Sequence, residues 1–370
     1  MSDISFISLP FQPMSSMRTP FYFSTAIMGE YLANLFNGKY YLGINELHSF
    51  KSYSDNECEA FIRKFDFIER KSLYLDVDYI DRVKSIIVEL YNAGEIQVKK
   101  ELIAVCDCGR VEIAKTEIDR FHGIKRDMQL VQQKGDDLFC RVCQQKLSFE
   151  QKNSLYLRIR EEELNEKMLI HPDYLNLDMN HFRKSLHNGF LRISRERNTG
   201  VELLIDGIKF NLDIDMLWKF IPFCIDSSKV VVVSSVKHMF SLCLINYLSK
   251  ILKKCVYFIG LPFIQTSDIS DGIMDFYRDE NHRNSLKLLV DLGVGWSKKN
   301  IILQESMCKY FMSSKEKNNN LIKHIYSNQI EEECNWEDMC KYIVANTSLQ
   351  KVQSEIKRKK FDKDKLYGSD

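Results

Sequence analysis

The sequence predicts an α/β protein, with a parallel sheet covered by helices, a metal-binding insert and a helical C-terminal part. The first observation is a β-branched run, "KVVVVSSV" (229–236), followed by a helical stretch (237–252) and a second apolar run, "CVYFIGLPF" (255–263). A strand, a helix and a strand at this spacing form a βαβ unit, whose two strands are parallel. The second observation is two close pairs of cysteines, which mark the insert.

Helical periodicity marks the chain before the insert. Within residues 77–96, apolar side chains recur at the spacing of one helix face, and Gly94 stands where a helix stop belongs. The apolar positions are Ile80, Val83, Ile86, Ile87, Leu90 and Tyr91. The segment is therefore predicted to be an amphipathic helix that leads into the insert.

The chain after the insert predicts a strand and then helices. "SLYLRI" (154–159) has strand character. Residues 160–169 and 180–188 are predicted to be helices, which a proline and a glycine end. From about residue 283 the pattern is helical again, and "KRKKFDKDKLYGSD" is a charged, solvated tail.

Composition and charge leave several classes of function open and argue against two. The 370 residues carry 52 lysines and arginines against 51 acidic residues, a balance that neither identifies nor excludes a nucleic-acid binder. No apolar run approaches the roughly 20 residues of a membrane helix, and the first residues lack the basic flank and apolar core of a secretory signal. We therefore expect a cytoplasmic protein with no membrane partner, whose 11 cysteines are mostly reduced.

Four cysteines form two close pairs. Cys106 and Cys108 are separated by one residue, Cys140 and Cys143 by two, and residues 109–139 lie between the pairs. Paired thiolates at such spacings supply the four ligands of tetrahedral Zn²⁺. Because four thiolates leave no open coordination position, this zinc would be structural. Buried or redox-active thiols without a metal are the alternative.

Four stretches, in this order, carry a resemblance to a known family: "GEYLANLFNGKYYLGINELHS" (29–49), "IIVELYNAGEIQVKKELIAVCDCG" (86–109), residues 154–203 with "ISRERNTG", and "DIDMLWKFIPF" with Trp218. The first stretch resembles the approach to a Gly-Thr-Asp-Glu-His segment, and the second resembles the entry into a zinc insert. The third resembles an Ile-Ser-Arg-x-Arg-x-x-Gly signature, and the fourth a Val-Trp-Phe-Asp-Ala segment. The family is the class I aminoacyl-tRNA synthetases, nearest the methionyl type, in which a zinc insert interrupts a Rossmann-like domain.

The resemblance implies a division of the chain into four parts. Residues 1–98 and 154–282 would be the two halves of a Rossmann-like catalytic domain, and residues 99–153 the four-cysteine zinc insert between them. Residues 283–370 would form the helical C-terminal region with its charged tail.

The sequence departs from the family wherever the family binds ATP. The His-x-Gly-His signature is replaced by "MRTPFYFST" (17–25), which has neither histidine nor glycine. The Lys-Met-Ser-Lys-Ser signature is replaced by "TSDISDG" (266–272), whose aspartates would repel a triphosphate. The Gly-Lys-Asp segment corresponds to Ser234, Ser235 and Val236. The resemblance leaves ATP open as a ligand, but its binding motifs are degenerate.

The resemblance also implies residues of an amino-acid pocket. Asn45 stands where the family has the aspartate that holds the substrate ammonium group, followed by Glu46 and by His48, which is shifted by one position. Tyr22 lies in the segment of the first signature, and Trp218 would form a pocket wall. A neutral carbonyl in place of a carboxylate should weaken selectivity for a cation. No catalytic residue is assigned.

Several of these residues also have ordinary structural interpretations. A tryptophan in an apolar segment, such as Trp218, is commonly a core residue, and a single histidine such as His48 is commonly a satisfied surface or core residue. For Ser194, Arg195 and Arg197 the alternatives are an anion-binding role and a structural turn with solvated guanidinium groups.

These observations lead to one functional prediction, with two candidate reactions and one alternative. The chain is predicted to be a divergent class I aminoacyl-tRNA synthetase-like protein of the methionyl type that handles an amino acid or an aminoacyl group outside ordinary translation. If it is an enzyme, it activates an amino acid with ATP, or it takes an already activated aminoacyl-tRNA, as the class-I-like cyclodipeptide synthases do. The second reaction needs a nucleophile or base, and Tyr22, Ser24 and His48 are candidates by position. The alternative is a catalytically silent member of the fold that binds a ligand or a protein partner.

Overall fold

A computed structural model gives the structure of the chain, and it describes residues 4–13, 25–27, 29–30, 33–34, 37–48, 51–66, 68, 71–119, 130–135, 137–160, 182–183, 186–196, 200–235, 238–261, 263–266 and 300–303. The strands are β1 (Ile4–Ser8), β2 (Lys39–Ile44), β3 (Leu47–His48), β4 (Lys51–Ser52), β5 (Lys71–Leu75), β6 (Ile96–Val105), β7 (Glu112–Ala114), β8 (Val131–Lys134), β9 (Asp137–Cys140), β10 (Ser148–Arg158), β11 (Phe190–Arg192), β12 (Val201–Ile205), β13 (Ile208–Leu212), β14 (Lys229–Ser235), β15 (Cys255–Leu261), β16 (Phe263–Thr266) and β17 (Asn300–Leu303). The helices are α1 (Asp55–Ile62), α2 (Ile80–Asn92), α3 (Lys115–Asp119), α4 (Ile214–Phe220) and α5 (Met239–Ile251).

The predicted helix before the insert is confirmed as α2. Its buried face consists of Val83, Ile87 and Leu90, which recur at the helical spacing seen in the sequence. Gly94 follows the helix with a φ of 75°, a left-handed conformation that glycine adopts without strain. The chain can therefore turn directly from the helix into β6.

The main sheet has five strands in the order β15-β14-β1-β2-β5, and all neighbours are parallel. The predicted βαβ unit is confirmed, because β14, α5 and β15 follow one another and the two strands pair along seven residues, Lys229↔Cys255 to Ser235↔Leu261. Four consecutive valines of β14, residues 230–233, are buried, as expected for a strand covered on both faces.

The strand order reverses next to β1. The chain goes from β1 to β2 and β5 on one side, and it returns to β14 and β15 on the other. In open parallel sheets, ligands bind at the carboxyl ends of the strands next to such a reversal. The carboxyl edge of β14, β1 and β2 is therefore the place where the fold favours a site.

A second, antiparallel sheet carries the cysteines away from the main core. Its order is β11-β10-β6-β7, and β6 and β10 pair along ten residues, from Ile96↔Leu157 to Val105↔Ser148. Ile96 and Leu157 belong to the main hydrophobic core, whereas Ala104 at the other end packs in a separate small core with the cysteines. Both strands run without a break through residues 98 and 153, the predicted limits of the insert.

Part of the predicted helical structure lies outside the described residues. This holds for residues 160–169, for most of 180–188 and for nearly all of 283–370. The exception in the C-terminal region is β17, which pairs in parallel with β16, so a strand stands where a helix was predicted. The helices that the structure describes include none that is long and apolar enough to span a membrane.

Candidate functional site

The carboxyl edge of the main sheet holds a buried hydrogen-bond acceptor. Asn45 follows β2, and its backbone N–H donates to the carbonyl of Phe11 at 2.8 Å. The residue is 6% exposed, and its Oδ1 atom has no hydrogen-bond partner among the residues that the structure describes. A buried acceptor without a partner costs about 1–3 kcal/mol. A ligand that brings an N–H group to Asn45 would recover that energy.

Strand register places Asn45 and Ser234 on the same face of the sheet. Ile7 of β1 aligns with Val232 of β14 and with Tyr41 of β2. Side chains alternate between the two faces of a strand. Ser234 lies two residues beyond Val232, and it therefore shares the face of Ile7. Asn45 lies four residues beyond Tyr41 and shares that face too. This face packs on the core that includes α4 and α5.

A tyrosine from the edge strand β5 lies across this face. The hydroxyl of Tyr74 donates to the carbonyl of Ser8 at 3.1 Å. To reach it, the ring passes over Gly43 of β2, where an added Cβ would lie only 2.2 Å from the tyrosine oxygen. Gly43 is therefore needed for this packing, and any larger residue there would displace Tyr74.

Asp76 fixes the turn that follows Asn45. Its carboxylate is 1% exposed and accepts backbone N–H bonds from Glu46 (2.8 Å), Leu47 (3.2 Å) and Val77 (3.1 Å). Burial raises the pKa of Asp76 to about 7, although the three N–H groups act in the opposite direction. The carboxylate ties the end of β5 to the turn between β2 and β3, so it positions the segment that carries Asn45.

The raised pKa of Asp76 predicts a specific pH dependence of stability. The folded chain keeps this proton up to about pH 7, whereas the unfolded chain releases it near pH 4. Stability is therefore lost as the pH rises between these values. The variant Asp76→Asn has no titratable group at this position. The unfolding free energy of the wild type minus that of the variant should therefore fall by up to about 4 kcal/mol between about pH 4.5 and pH 8. Urea unfolding of both proteins at several pH values measures this difference. A difference that stays constant with pH would contradict the assignment.

Helix α4 places Trp218 beside the carboxyl edge. Asp213 begins the helix, and its Oδ1 accepts the N–H of Asp215 at 2.9 Å. Trp218 is half-buried, and its ring lies 6.4 Å from the imidazole of His238. The helix also packs against β3, next to the turn that holds Asn45.

Lys219, the residue after Trp218, is an unusual buried amine. It is 3% exposed, and its Nζ donates to the carbonyl of Asp215 at 2.6 Å and lies 4.9 Å from the Trp218 ring centre. Burial lowers the pKa of Lys219 to about 8, and the nearby carboxylates of Asp215 and Asp213 partly oppose this. The amine therefore carries a positive charge at neutral pH but loses it readily.

A serine and a histidine meet at the end of β14. The Oγ of Ser234 lies 3.0 Å from the Nδ1 of His238, within hydrogen-bonding distance. Ser234 is 2% exposed, whereas His238 is half-buried and directly precedes α5. Neither residue was identified as a chemical group from the sequence.

The predicted pocket residues stay a prediction. Asn45 and Glu46 directly precede β3, and α4, which carries Trp218, packs against β3. His48 ends β3 and pairs with Lys51 through the backbone. Tyr22 and Ser24 lie outside the described residues, as do residues 267–272 of the second ATP signature.

The four cysteines converge at the tip of the antiparallel sheet. The sulfur atoms of Cys106 and Cys143 are 3.2 Å apart, those of Cys106 and Cys108 3.3 Å, and those of Cys108 and Cys140 3.7 Å; all four lie within 4.8 Å of one another. These separations exceed the 2.05 Å of a disulfide bond. Sulfurs bound to one zinc ion at about 2.3 Å lie about 3.8 Å apart. The cluster could therefore hold a metal ion.

Two tight turns bring the four sulfur atoms close together. Gly109 and Gln144 have φ values of 68° and 60°, and their N–H groups donate to the carbonyls of Cys106 and Cys140, both at 2.8 Å. The backbone N–H of Gln145 and the Cys106 thiol lower the pKa of Cys143 to about 7. A thiolate is therefore available at this position, which suits a cation.

A buried network of charges joins the insert to the main domain. The guanidinium of Arg195 contacts Glu117 of α3 (2.7 Å) and Asp213 at the start of α4 (2.9 Å), and it donates to the carbonyl of Glu112 (3.0 Å). Arg192 pairs with the Glu112 carboxylate. Burial alone would raise the pKa of Glu117, but Arg195 and Arg192 outweigh it and hold that pKa below its usual range.

This network shows the role of Arg195, for which the sequence left two alternatives open. The structural role among the two alternatives agrees with the buried ion pairs of Arg195, but the predicted solvation of its guanidinium is wrong, because the side chain is 1% exposed and paired with protein carboxylates. It is neither solvated nor open to an anionic ligand. Ser194 is structural as well, since its Oγ accepts the N–H of Leu155 at 2.8 Å. Arg197 lies outside the described residues.

Comparisons with known proteins concern the fold. No protein-family model matches the chain, and no curated protein matches it significantly by sequence. The chain is similar to the solved structure of Mycobacterium tuberculosis methionyl-tRNA synthetase in complex with methionyl-adenylate, with a TM-score of 0.58 and 10% identity over 88% of this chain and 72% of that chain. For a second structure of that enzyme bound by methionyl-adenylate, the TM-score is 0.57 and the identity 10%, over 87% of this chain and 70% of that chain. For its apo form, the TM-score is 0.51 and the identity 10%, over 88% of this chain and 68% of that chain.

The similarity covers most of this chain, which contains the parallel main sheet. At 10% identity it is evidence of architecture alone. The chain therefore has a class I aminoacyl-tRNA synthetase-like fold.

Proposed function

We propose that the chain is a divergent methionyl-type synthetase-like protein that binds an amino acid or an aminoacyl group outside ordinary translation. The observation that carries the proposal is Asn45, whose buried Oδ1 has no partner among the described residues. It lies at the carboxyl edge next to the strand-order reversal, where the fold favours a ligand. The amino group of the ligand would supply the missing N–H donor.

The surroundings of Asn45 support a ligand with an amino group. Asp76 and Glu46 are the acidic neighbours, and Asp76 holds the turn in place. The half-buried indole of Trp218 belongs to α4, which packs against β3, and it would offer an apolar surface to a side chain. A neutral amide at position 45 discriminates less strongly than a carboxylate between a free ammonium group and an acylated nitrogen. This favours a broader range of ligands than a housekeeping synthetase accepts.

We also propose that the cysteine cluster holds a structural Zn²⁺. Cys106, Cys108, Cys140 and Cys143 would be its four ligands, so no position remains for a substrate. When bound, the ion would stabilise the insert rather than take part in a reaction. The cytoplasmic location of the protein, the limits of its domains at residues 98, 153 and 282, and a protein partner stay predictions.

The activity is tested by following two reactions in sequence. Purified protein is incubated with ATP, labelled pyrophosphate and a pool of amino acids, and exchange of label into ATP is measured. Because the ATP signatures are degenerate, we expect no exchange. The same protein is then mixed with bulk aminoacyl-tRNA, and we expect loss of the aminoacyl ester. Exchange would instead show retained activation with ATP, and inertness in both reactions would favour a silent binding or partner protein.

A further inference from the structure

The end of β14 holds a pair of side chains with the geometry of a nucleophile and its base. Ser234 Oγ and His238 Nδ1 are 3.0 Å apart. With its proton on Nε2, the imidazole accepts the serine hydroxyl hydrogen at Nδ1, which is the arrangement that activates a serine. His238 is the residue before α5, yet its side chain makes no capping hydrogen bond there. The imidazole instead reaches back to the strand.

The pair lies at the same carboxyl edge of the main sheet as Asn45. Both Ser234 and Asn45 point to the α4 side of the sheet, and β1 separates their strands. Two strand spacings amount to about 10 Å, and the register places Asn45 two residues, or about 7 Å, further along the strands than Ser234, so the two Cα atoms lie about 12 Å apart. An asparagine side chain, one hydrogen bond and the N–Cα–C unit of an amino acid together bridge such a distance. An aminoacyl group whose nitrogen binds Asn45 can therefore present its carbonyl carbon to Ser234.

The neighbours of the pair support the same chemistry. The ring centres of Trp218 and His238 are 6.4 Å apart. The pair stands where the chain enters the 13-residue helix α5, whose positive N-terminal end favours the negative charge that develops on a carbonyl oxygen during attack. Ser234 is 2% exposed and His238 is half-buried, so the ester carbonyl has to approach the Ser234 Oγ from the side of the imidazole.

We propose that Ser234 and His238 form a catalytic pair that accepts the acyl part of an activated aminoacyl ester. Ser234 Oγ forms a bond to the carbonyl carbon, and the bond from that carbon to the leaving alcohol oxygen breaks. His238 takes the serine proton and passes it to the leaving oxygen. The acyl group then moves from Ser234 to the nitrogen of an amine or to water, and the proton lost by this acceptor restores the serine hydroxyl. No redox partner or ATP is needed.

This inference rests on the proposed function and names its reaction. The experiment uses a panel of amino-acid p-nitrophenyl esters with the full-length protein. We expect a burst of p-nitrophenolate, a mass increase equal to one acyl group, and the acylated peptide to contain Ser234. Mapping the acyl group on the wild type does not depend on the folding of any variant.

Three variants sharpen the test. Ser234→Ala should form no acyl adduct, and His238→Gln should slow the burst about 100-fold or more. Ser85→Ala removes an exposed hydroxyl of α2, away from the carboxyl edge, and should behave like the wild type. A merely structural Ser234–His238 bond would alter the unfolding midpoint of the variants without producing any adduct in the wild type.

The outcomes separate this inference from the proposed function. Binding is followed independently by equilibrium dialysis with amino-acid amides, which lack a good leaving group. Amide binding without an acyl adduct, or an adduct on another residue, would overturn the role of Ser234 and leave the proposed function standing. Neither binding nor acylation would overturn both.

Discussion

Protein purified without chelators is expected to contain about one zinc ion per chain. The four sulfurs lie within 4.8 Å of one another, and their small core has few other apolar residues to hold it together. Structural zinc contributes on the order of 10 kcal/mol to the folding of such modules. Cys106→Ser or Cys143→Ser should therefore release the ion and unfold the tip of the insert. Elemental analysis and limited proteolysis measure the two effects.

Cys255→Ser is the matched control for the metal prediction. Cys255 is an exposed cysteine of β15, outside the cluster. Its variant should keep the full zinc content and the wild-type pattern of proteolysis. A wild-type protein without zinc would refute the metal site and leave four buried or redox-active thiols as the interpretation.

Replacing Arg195 by methionine is expected to cost about 3–5 kcal/mol of unfolding free energy. The change keeps most of the side-chain volume but leaves the carboxylates of Glu117 and Asp213 buried without this cation. Without Arg195 the pKa of Glu117 rises and its protonation removes one of these charges, so the deficit of Arg195→Met should shrink as the pH falls from about 7 to about 4.5. Urea unfolding of the wild type and the variant at both pH values measures the change.

Lys209→Met is the control for the buried network. It breaks the Lys209–Glu202 pair across β12 and β13, whose side chains are 63% and 64% exposed. An exposed pair contributes at most about 1 kcal/mol. If Arg195→Met cost no more than Lys209→Met, the network would not join the insert to the main domain.

Local patterns predicted the parts of the fold that depend on neighbours in sequence. The helical spacing before Gly94 predicted α2, and the β-branched run of β14 followed by α5 and β15 predicted a parallel sheet. The two cysteine pairs predicted a common site because each pair lies on one short turn. In each case the information is contained in one continuous stretch, no longer than the 38 residues from Cys106 to Cys143.

The residues that the sequence did not reveal depend on distant parts of the chain. Arg195 looked like a member of a polar turn, and only folding brings it to Glu117, which lies in the insert. Asp76 has no motif, and its importance follows from three backbone N–H groups that meet its carboxylate. The Ser234–His238 pair has no counterpart in the family pattern, since Ser234 falls in the segment aligned with Gly-Lys-Asp and His238 lies two residues beyond that segment. The spacing of four residues could have revealed it.

The central claim is that the carboxyl edge at Asn45 binds an amino acid or aminoacyl group, and equilibrium dialysis tests it most directly. The protein is dialysed against a mixture of amino acids and their methyl esters, and retained compounds are identified by mass spectrometry. We predict retention of one or a few compounds, weakened about ten-fold or more in Asn45→Ala and unchanged in Asn153→Ala, an exposed asparagine of β10. No retention, or retention that Asn45→Ala leaves unchanged, would contradict the account.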